Sequence, residues 1–320
     1  MKISIALATY NGAIYLQEQL DSYIAQERLP DEVVVCDDVS TDDTVEILEA
    51  FKRSVPFQVR IIKNQCNLGF TKNFEKAILN CIGDLIILSD QDDIWFPEKI
   101  RIIEDTFRKN PDKYLLIHDG DLVDDDFVSH GATKLGQVKA GYGSEDFAAT
   151  GALTAIRKEL FQYVLPIPDG IVGHDGWLHN IARLLDKRMV ICQSLQSIRR
   201  HSANTSGWVA SSLNPINRVT VAKSQFSTQP ASSYDDRLLY NTSLSERLHA
   251  IESIAHSGIS TSLISAGLDH LREERKAIVS REELIQLNFI RRKVKAIQIL
   301  TCGDYAHFNG LKSFMRDIFR

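Results

Sequence analysis

The sequence predicts an α/β fold in which a mostly parallel central sheet is flanked by helices and followed by a mainly helical C-terminal region. Three observations predict this class: short continuous apolar runs, amphipathic stripes between them, and a change to long charged helical patterns near residue 213. Continuous apolar runs are typical of parallel strands covered on both faces, and strand–helix alternation gives right-handed βαβ units. Ligands bind outside the carboxyl ends of such strands, so functional residues are expected there.

Four apolar runs in the first ninety residues predict strands, and they span residues 2–8, 32–36, 59–62 and 85–88. The stripes between them place apolar residues three or four positions apart, as one buried helix face requires; the clearest contains Phe74, Ala77 and Ile78. Ser40 and Asp43 have the spacing of a capping box, although with Asp where Glu or Gln is usual. They predict the start of the second helix.

The residue composition and the hydrophobic pattern along the chain predict three parts. Residues 1–207 carry the strand–helix alternation and form the first domain. Residues 208–236 are rich in Ser, Thr, Asn and Gln, which is typical of a loop or linker, and residues 237–320 form a helical region. A chain of 320 residues has the length expected for two domains, or for one α/β domain with an appendage.

Composition excludes several classes of protein. The chain has 37 Lys and Arg against 42 Asp and Glu. Nucleic-acid-binding proteins neutralise phosphates with basic residues, so a mildly acidic chain is a poor candidate for one. No apolar run approaches the roughly 18 residues of a membrane-spanning helix, and the apolar start is too short for a signal peptide. The five cysteines are scattered, so neither a disulfide framework nor a structural zinc site is expected. A reducing cytoplasm is the simplest compartment.

Two adjacent carboxylates, Asp37 and Asp38, follow the second predicted strand. At that position they can accept hydrogen bonds from a nucleobase or a ribose that lies over the strand ends. The alternative is a polar turn whose charges favour the N-terminus of the next helix. The pair by itself does not distinguish these two interpretations.

A second acidic motif, Ser89–Asp93, follows the fourth predicted strand. In an extended chain Asp90 and Asp92 point to the same side, and like charges held together are unfavourable without a cation. Hard oxygen ligands favour Mg²⁺ or Mn²⁺, with substrate phosphates completing the coordination shell. The alternative is a solvated acidic turn.

Two further polar clusters lie later in the first domain. Asp175 stands at the predicted start of a helix, where it can act as a general base or, alternatively, cap the helix. Arg199 and Arg200 offer guanidinium donors for phosphate, and His201 offers an imidazole for a metal or a phosphate. The alternative for His201 is a structural role.

Taken together, these motifs resemble the family 2 glycosyltransferases of GT-A fold, and particularly their bacterial rhamnosyltransferase-like branch. The similarity covers about residues 1–207, and no single segment is specific. It rests on four segments in the order and spacing of the family: Thr9–Gly12, Asp37–Asp42, Asn67–Gly69 with Asn73, and Ser89–Trp95.

The resemblance implies a role for each cluster. Asp37 and Asp38 match the pair that holds the base and ribose of the nucleotide. Asp90 and Asp92 match the Asp-x-Asp motif, in which Asp92 is the expected metal ligand, and Asp175 matches the Asp of the family's base motif. The residues expected to bind the nucleotide sugar are Thr9, Tyr10, Asn11, Asp37, Asp38, Asn67, Asn73, Asp90 and Arg199.

The resemblance also covers a segment that closes over the diphosphate, matched here by Arg199, His201 and Asn204; His201 is expected to join the metal site. Two positions depart from the family pattern. Val39 replaces the usual Gly of the Asp-Asp-Gly-Ser turn, so the backbone of that turn cannot be assumed identical. His174 replaces the Glu that usually precedes the base.

The expected function is inverting transfer of a sugar from a nucleoside diphosphate sugar to an acceptor hydroxyl, assisted by Mg²⁺ or Mn²⁺. The rhamnosyl branch implies dTDP-rhamnose as the first donor to test and UDP-hexoses as the next. It also implies a saccharide or lipid-linked saccharide acceptor in O-antigen or capsule synthesis. Two alternatives stay open: a nucleotidyltransferase, although Thr9–Gly12 lacks the usual basic residue, and a non-catalytic nucleotide-sugar-binding member.

The C-terminal segment 286–320 carries seven basic and two acidic residues, interleaved with apolar positions. A basic helix with an apolar face can lie in the interface of an anionic membrane. The alternative is a terminal helix whose apolar stripe packs on the first domain. Because acceptors in polysaccharide assembly are usually lipid-linked, the family resemblance favours a cytoplasmic protein attached peripherally to the inner membrane through this segment.

Overall fold

The computed structural model describes residues 1–201, 208–221, 234–254, 259–308 and 310–319. The chain forms two compact units, Met1–Val221 and Ala222–Arg320. The first unit is a mixed α/β structure and the second is helical, so the predicted class is confirmed.

One nine-stranded sheet forms the centre of the first unit, in the order β3-β2-β1-β4-β8-β6-β9-β5 with β7 paired to β6. The neighbouring strands β1 to β4 run parallel, whereas β8 is antiparallel to both β4 and β6. The strands are β1 (Ile3–Thr9), β2 (Glu32–Asp37), β3 (Gln58–Lys63), β4 (Leu85–Ser89), β5 (Ile94–Trp95), β6 (Leu115–Val123), β7 (Ser129–Thr133), β8 (Thr154–Arg157) and β9 (Arg188–Arg199).

Helices connect these strands, and the four predicted strands are confirmed as β1 to β4. All residues of β2 and β4 are buried, because helices cover the sheet on both faces. Each large aliphatic side chain buried in this way contributes about 1.5–3 kcal/mol. The helices of the first unit are α1 (Ala13–Ile24), α2 (Thr44–Ser54), α3 (Gly69–Asn80), α4 (Lys99–Lys109), α5 (Lys134–Tyr142), α6 (Phe161–Val164) and α7 (His174–Leu184).

The predicted capping box at Ser40 is wrong. Helix α2 begins at Thr44 and its N-cap residue Asp43 makes no side-chain cap bond. Ser40 instead donates its hydroxyl to Oδ1 of Asp37 at 2.5 Å, so it is unavailable to the helix. The backbone N–H of Thr44 is satisfied by Oδ1 of Asp42 at 3.1 Å. The turn after β2 is therefore organised by Asp37 and not by a helix cap.

Residues 208–221 belong to the first unit. Ala210, Ile216 and Val221 are buried in a hydrophobic cluster with Leu135 and Val138 of α5. Residues 208–221, part of the segment that the sequence assigns to a linker, thus complete a small core beside the sheet, and residues 234–236 of that segment lie in a helix.

Within residues 234–254, 259–308 and 310–319, the second unit contains four α-helices, one 3-10 turn and no strand. A buried ion pair joins two of its helices, since Nε of Arg281 lies 2.8 Å from Oδ2 of Asp317, which also accepts from the Tyr305 hydroxyl at 3.0 Å. Among the described residues, no helix combines the length and apolarity needed to cross a bilayer. The helices are α8 (Tyr234–Ser253), α9 (Thr261–Gln286), α10 (Phe289–Thr301) and α11 (Leu311–Phe319).

Candidate active site

Three turns meet at the carboxyl edge of the parallel strands, and side chains tie them together. Gln91, after β4, accepts from the backbone N–H of Tyr10 at 2.9 Å and donates to its carbonyl at 3.0 Å. The backbone N–H of Asn11 donates to Oγ of Ser40 at 2.9 Å, which joins the turns after β1 and β2. The ring of Tyr10 stays half exposed over this edge. Gln91 was not predicted from the sequence.

Asp37 is buried beneath these turns. Its Oδ1 accepts from Oγ1 of Thr9 at 3.0 Å and its Oδ2 accepts from the backbone N–H of Ser40 at 3.0 Å. The structure thus brings Thr9 and Asp37 together as predicted neighbours. These contacts orient the turn after β2. Direct contact of Asp37 with a nucleotide stays a prediction.

Asp38 is buried one residue further along and organises the turn before α3. Its Oδ1 accepts from Nδ2 of Asn64 and from the backbone N–H of Leu68, both at 2.8 Å. Its Oδ2 accepts from the backbone N–H of Gly69 at 2.9 Å. A carboxylate has about four acceptor directions, so these three bonds leave one direction for a nucleobase or ribose.

The two predicted asparagines lie in the same network. Asn67 donates to the carbonyl of Asp38 at 3.3 Å. Asn73 accepts from Asn64 at 2.9 Å and donates to the carbonyl of Cys36 at 2.8 Å. Asn73 is buried, so it holds the end of β2 in place.

The turn at Val39 keeps the backbone that a glycine would adopt. Val39 has φ +68°, in the left-handed region, although a β-branched residue is strongly disfavoured there. Its side chain is 39% exposed at the carboxyl edge. The departure from the family pattern therefore changes the side chain while the backbone stays in a glycine-like conformation.

An acidic cluster forms the centre of the site. Oxygen atoms of Asp90, Asp92 and Asp93 all lie within 4.8 Å of one another. Nε2 of His201 lies 2.8 Å from Oδ2 of Asp92, because β5 and β9 pair antiparallel and bring the end of β9 beside the acidic turn. Three carboxylates and an imidazole form a donor set that suits Mn²⁺ or Mg²⁺.

The protonation of this cluster reflects its crowding. Burial, followed by the negative charges of Asp92 and Asp175, raises the pKa of Asp90 to about 7. Burial also raises the pKa of Asp93 well above its ordinary value. Asp175 therefore lies within electrostatic reach of the cluster, and a cation would relieve the repulsion between the carboxylates.

The raised pKa of Asp90 predicts a pH-dependent response to metal. The folded state binds a proton up to about pH 7 that the unfolded state loses near its ordinary value of 3.8, so the metal-free protein loses stability as the pH rises between these values. A bound cation reverses this loss. We expect Mn²⁺ to raise the melting temperature by about 2–4 °C more at pH 8 than at pH 5.5.

Thermal melts with EDTA or Mn²⁺ at the two pH values measure this difference. The variant Asp90→Asn, which cannot ionise at this position, serves as the matched control and should show a smaller extra stabilisation at pH 8, while Asp93 still ionises. A metal-induced shift that is equal at both pH values in the wild-type protein contradicts the prediction.

A buried lysine lies behind the acidic cluster and was missed in the sequence. Nζ of Lys99 sits 3.7 Å from the centroid of the Trp95 ring and donates to Oε1 of Gln196. Gln196 in turn donates to Oδ2 of Asp93 at 2.6 Å. Burial lowers the pKa of Lys99 well below its ordinary value. At the start of an amphipathic helix, a lysine gives no sequence signal of burial.

Arg199 is placed at the site but is already engaged. Its Nε donates to the carbonyl of Asp92 and its Nη1 to the carbonyl of Asp125, both at 3.1 Å, and it forms an ion pair with Glu18. The guanidinium lies 3.9 Å from the centroid of the Phe127 ring. These contacts hold the backbone of the acidic turn, and phosphate binding by Arg199 stays a prediction. Asn204 lies outside the described residues.

Asp175 occupies the first turn of α7, as predicted. Its Oδ1 accepts from the backbone N–H of Gly176 at 2.8 Å, which orients the carboxylate. The preceding His174 is buried and stacks on Phe74 with centroids 4.0 Å apart. A Cβ atom at Gly151 would clash with the His174 ring, so glycine is required there. Burial lowers the pKa of His174, so its imidazole is neutral at pH 7.

A second buried lysine, also missed in the sequence, lies within electrostatic reach of Asp175. Lys134 donates to the hydroxyl of Ser211 and sits 4.5 Å from the centroid of the Trp208 ring. Burial lowers the pKa of Lys134 to about 7, although the charge of Asp175 opposes this shift. Lys134 thus contacts the 208–211 segment and interacts electrostatically with the candidate base Asp175.

The mostly parallel sheet, the polar side chains at its carboxyl edge and the Asp-x-Asp cluster are typical of the GT-A fold. The chain belongs to glycosyl transferase family 2, whose model matches residues 4–163, half of the chain.

Individual relatives agree with this assignment. The chain is 28% identical over 221 residues to an uncharacterized glycosyltransferase of Nostoc sp., covering 64% of this chain and 66% of that protein. It is 39% identical over 99 residues to the dTDP-rhamnosyl transferase RfbG of Shigella flexneri, covering 30% of this chain and 34% of that protein. The matched part thus spans between about a third and two thirds of the length of these relatives.

A solved structure shares the fold. TarS of S. aureus, in complex with UDP-GlcNAc, superposes with a TM-score of 0.58 at 16% identity, covering 99% of this chain and 82% of that one. Identity at this level shows a common fold.

Proposed function

We propose that this protein transfers a sugar, with inversion, from a nucleoside diphosphate sugar to the hydroxyl of a saccharide acceptor. One observation carries the proposal: Asp90 and Asp92 lie at the same sheet edge as Asp38, and Asp90 is within electrostatic reach of Asp175. This arrangement supports a nucleotide site at Asp38, a cation site at Asp90 and Asp92, and a base at Asp175.

Asp92 and His201 would hold Mg²⁺ or Mn²⁺, and the bound cation would neutralise the charge that develops on the leaving diphosphate. Asp38 would bind the nucleoside, with the Tyr10 ring over the same edge. The anomeric carbon passes through an oxocarbenium-like state, as in glycoside hydrolysis. The chain's own carboxylates thus position the donor with its anomeric carbon toward the acceptor.

Asp175 would accept the proton of the acceptor hydroxyl. The bond from Gly176 fixes Oδ1, and we assign Oδ2 to the acceptor. Attack on the face opposite the diphosphate gives inversion, because no covalent sugar–enzyme intermediate intervenes.

For the donor we propose dTDP-rhamnose, with UDP-hexoses as the second candidates. The support is the 39% identity to the dTDP-rhamnosyl transferase RfbG, which extends over 30% of this chain. The acceptor we propose is a lipid-linked saccharide of a cell-surface polysaccharide.

The proposal is tested by incubating the purified protein with dTDP-rhamnose and a panel of UDP-hexoses, with Mn²⁺ or with EDTA, and measuring release of the nucleoside diphosphate. Slow, Mn²⁺-dependent hydrolysis of dTDP-rhamnose above all other donors is expected. Faster hydrolysis of a UDP-hexose would overturn the donor, and hydrolysis unaffected by EDTA would overturn the metal.

We further propose peripheral attachment to an anionic membrane through residues 286–320. In α10 the apolar side chains of Ile290, Val294 and Ile297, spaced at i, i+4 and i+7, are 75%, 54% and 51% exposed. The basic residues Arg291 and Lys293 lie between these apolar positions in the sequence. An exposed apolar stripe with basic neighbours supports an interfacial helix over one whose apolar face is packed.

The membrane proposal predicts that Ile290→Glu with Ile297→Glu weakens binding to anionic vesicles at least about tenfold, because two partly inserted side chains are lost and two negative charges gained. Co-sedimentation with phosphatidylglycerol vesicles at low salt measures this. The matched control is Val128→Glu, an exposed valine of the first unit. Equal binding by the double variant and the wild-type protein, or no wild-type binding at low salt, contradicts the proposal.

A further inference from the structure

Val39 combines a disfavoured backbone with an exposed side chain at the nucleotide edge. Its φ of +68° is one that glycine adopts freely and a β-branched residue rarely does. Backbone strain of this kind persists where surrounding contacts over-determine it, and it concentrates at ligand sites.

The contacts on both sides of Val39 fix this conformation. On one side the carboxylate of Asp37 binds the backbone N–H of Ser40 at 3.0 Å. On the other side the carboxylate of Asp38 binds the backbone N–H of Leu68 at 2.8 Å. The turn is therefore held in a glycine-like shape by its neighbours, and the valine side chain contributes little to the core because it is 39% exposed.

Two further exposed apolar side chains lie at the turns that are tied to this one, among exposed polar residues such as Thr41 and Asn67. The side chain of Leu68 is 40% exposed, and its backbone is tied to Asp38. The ring of Tyr10 is 51% exposed, and the next residue, Asn11, is tied to Ser40. The buried carboxylates of Asp37 and Asp38 thus lie beside exposed apolar side chains from three neighbouring turns. The carboxylates suit the polar edge of a nucleoside, and the apolar groups suit parts of it that lack hydrogen-bonding atoms.

Resting on the proposed function, we propose that Val39 selects the thymidine nucleotide over the uridine nucleotide by contacting an apolar group that only thymidine carries. Thymidine differs from uridine by a 5-methyl group on the base and by the missing 2′-hydroxyl on the sugar. A valine in place of glycine gains contact with either apolar position, and it leaves a 2′-hydroxyl without a partner.

Isothermal titration of the full chain with dTDP, dUDP, ribothymidine diphosphate and UDP, in the presence of Mn²⁺, tests this inference. The wild-type protein should bind dTDP about tenfold more tightly than UDP, and Val39→Gly should reduce this preference to about twofold or less. The two intermediate nucleotides distinguish the 5-methyl group from the 2′-position. Val128→Gly, at an exposed position of the first unit, is the matched control and should keep the wild-type preference.

Val39→Gly relieves the left-handed strain, so it should fold, and a thermal melt checks this. A folded Val39→Gly protein that keeps the dTDP preference overturns the inference, as does a wild-type protein that binds dTDP and UDP equally. If the wild-type protein binds none of the four nucleotides, the proposed function fails together with the inference. Binding without discrimination leaves the proposed function standing while overturning the role of Val39.

Discussion

Replacing Asp92 with alanine is expected to lower the rate of sugar transfer at least about a thousandfold, because the variant loses the carboxylate that binds the charge-neutralising cation. The fold should survive. Asp92 is only partly buried and lies outside the hydrophobic core, and its removal relieves repulsion with Asp90 and Asp93. The metal-free variant should therefore melt at or above the wild-type temperature.

Chromatographic measurement of product formation, together with thermal melts with and without Mn²⁺, checks both parts of this prediction. Asp112→Ala is the matched control, since Asp112 is exposed and remote in sequence from the acidic turn. The control should keep wild-type rates and Mn²⁺-induced stabilisation. Near-wild-type turnover by folded Asp92→Ala protein would mean that the cation is held elsewhere.

Replacing Asp175 with asparagine should abolish transfer while leaving donor binding unchanged, a loss again of about a thousandfold or more, since an amide cannot accept the acceptor's proton. Asparagine retains an Oδ1 that can accept from the backbone N–H of Gly176, so the first turn of α7 should keep its geometry. The variant should also lower the pKa of Asp90, because one neighbouring negative charge is lost.

Two measurements separate binding from chemistry in this variant. Titration with dTDP gives the affinity of the donor nucleotide, and single-turnover transfer gives the rate on bound donor. Asp105→Asn, a similar change at an exposed position of α4, is the control. If Asp175→Asn lost donor affinity but transferred bound donor at the wild-type rate, Asp175 would be a binding residue and not the base.

The strands and the acidic motifs were predictable for one physical reason. A strand buried on both faces needs a continuous apolar run, and such runs identify β1, β2 and β4 directly. Polar residues that follow a buried strand must lie at the sheet edge. This rule predicts that Asp38 and Asp92 lie at the carboxyl edge of the sheet, where the structure has them.

The network behind the acidic turn could not be predicted in this way. Gln196 reaches Asp93 because β9 pairs with β5, about a hundred residues earlier in the chain, and the same pairing brings Gln196 to the buried Lys99. No local pattern distinguishes a lysine that will be buried by such pairing from one on an exposed helix face. The predicted Ser40 cap is wrong for a different, local reason, since the carboxylate of Asp37, three residues earlier, accepts from the same hydroxyl.

The two hydrogen bonds between Gln91 and the backbone of Tyr10 also restrict which residues position 12 can accept. A Cβ atom at Gly12 would clash with the amide group of Gln91, which already bonds both the N–H and the carbonyl of Tyr10. A larger residue at position 12 would therefore displace the Gln91 amide and break its two hydrogen bonds to Tyr10. Because these bonds join the turn after β1 to the turn after β4, a substitution at position 12 would also loosen the turn that contains the acidic motif.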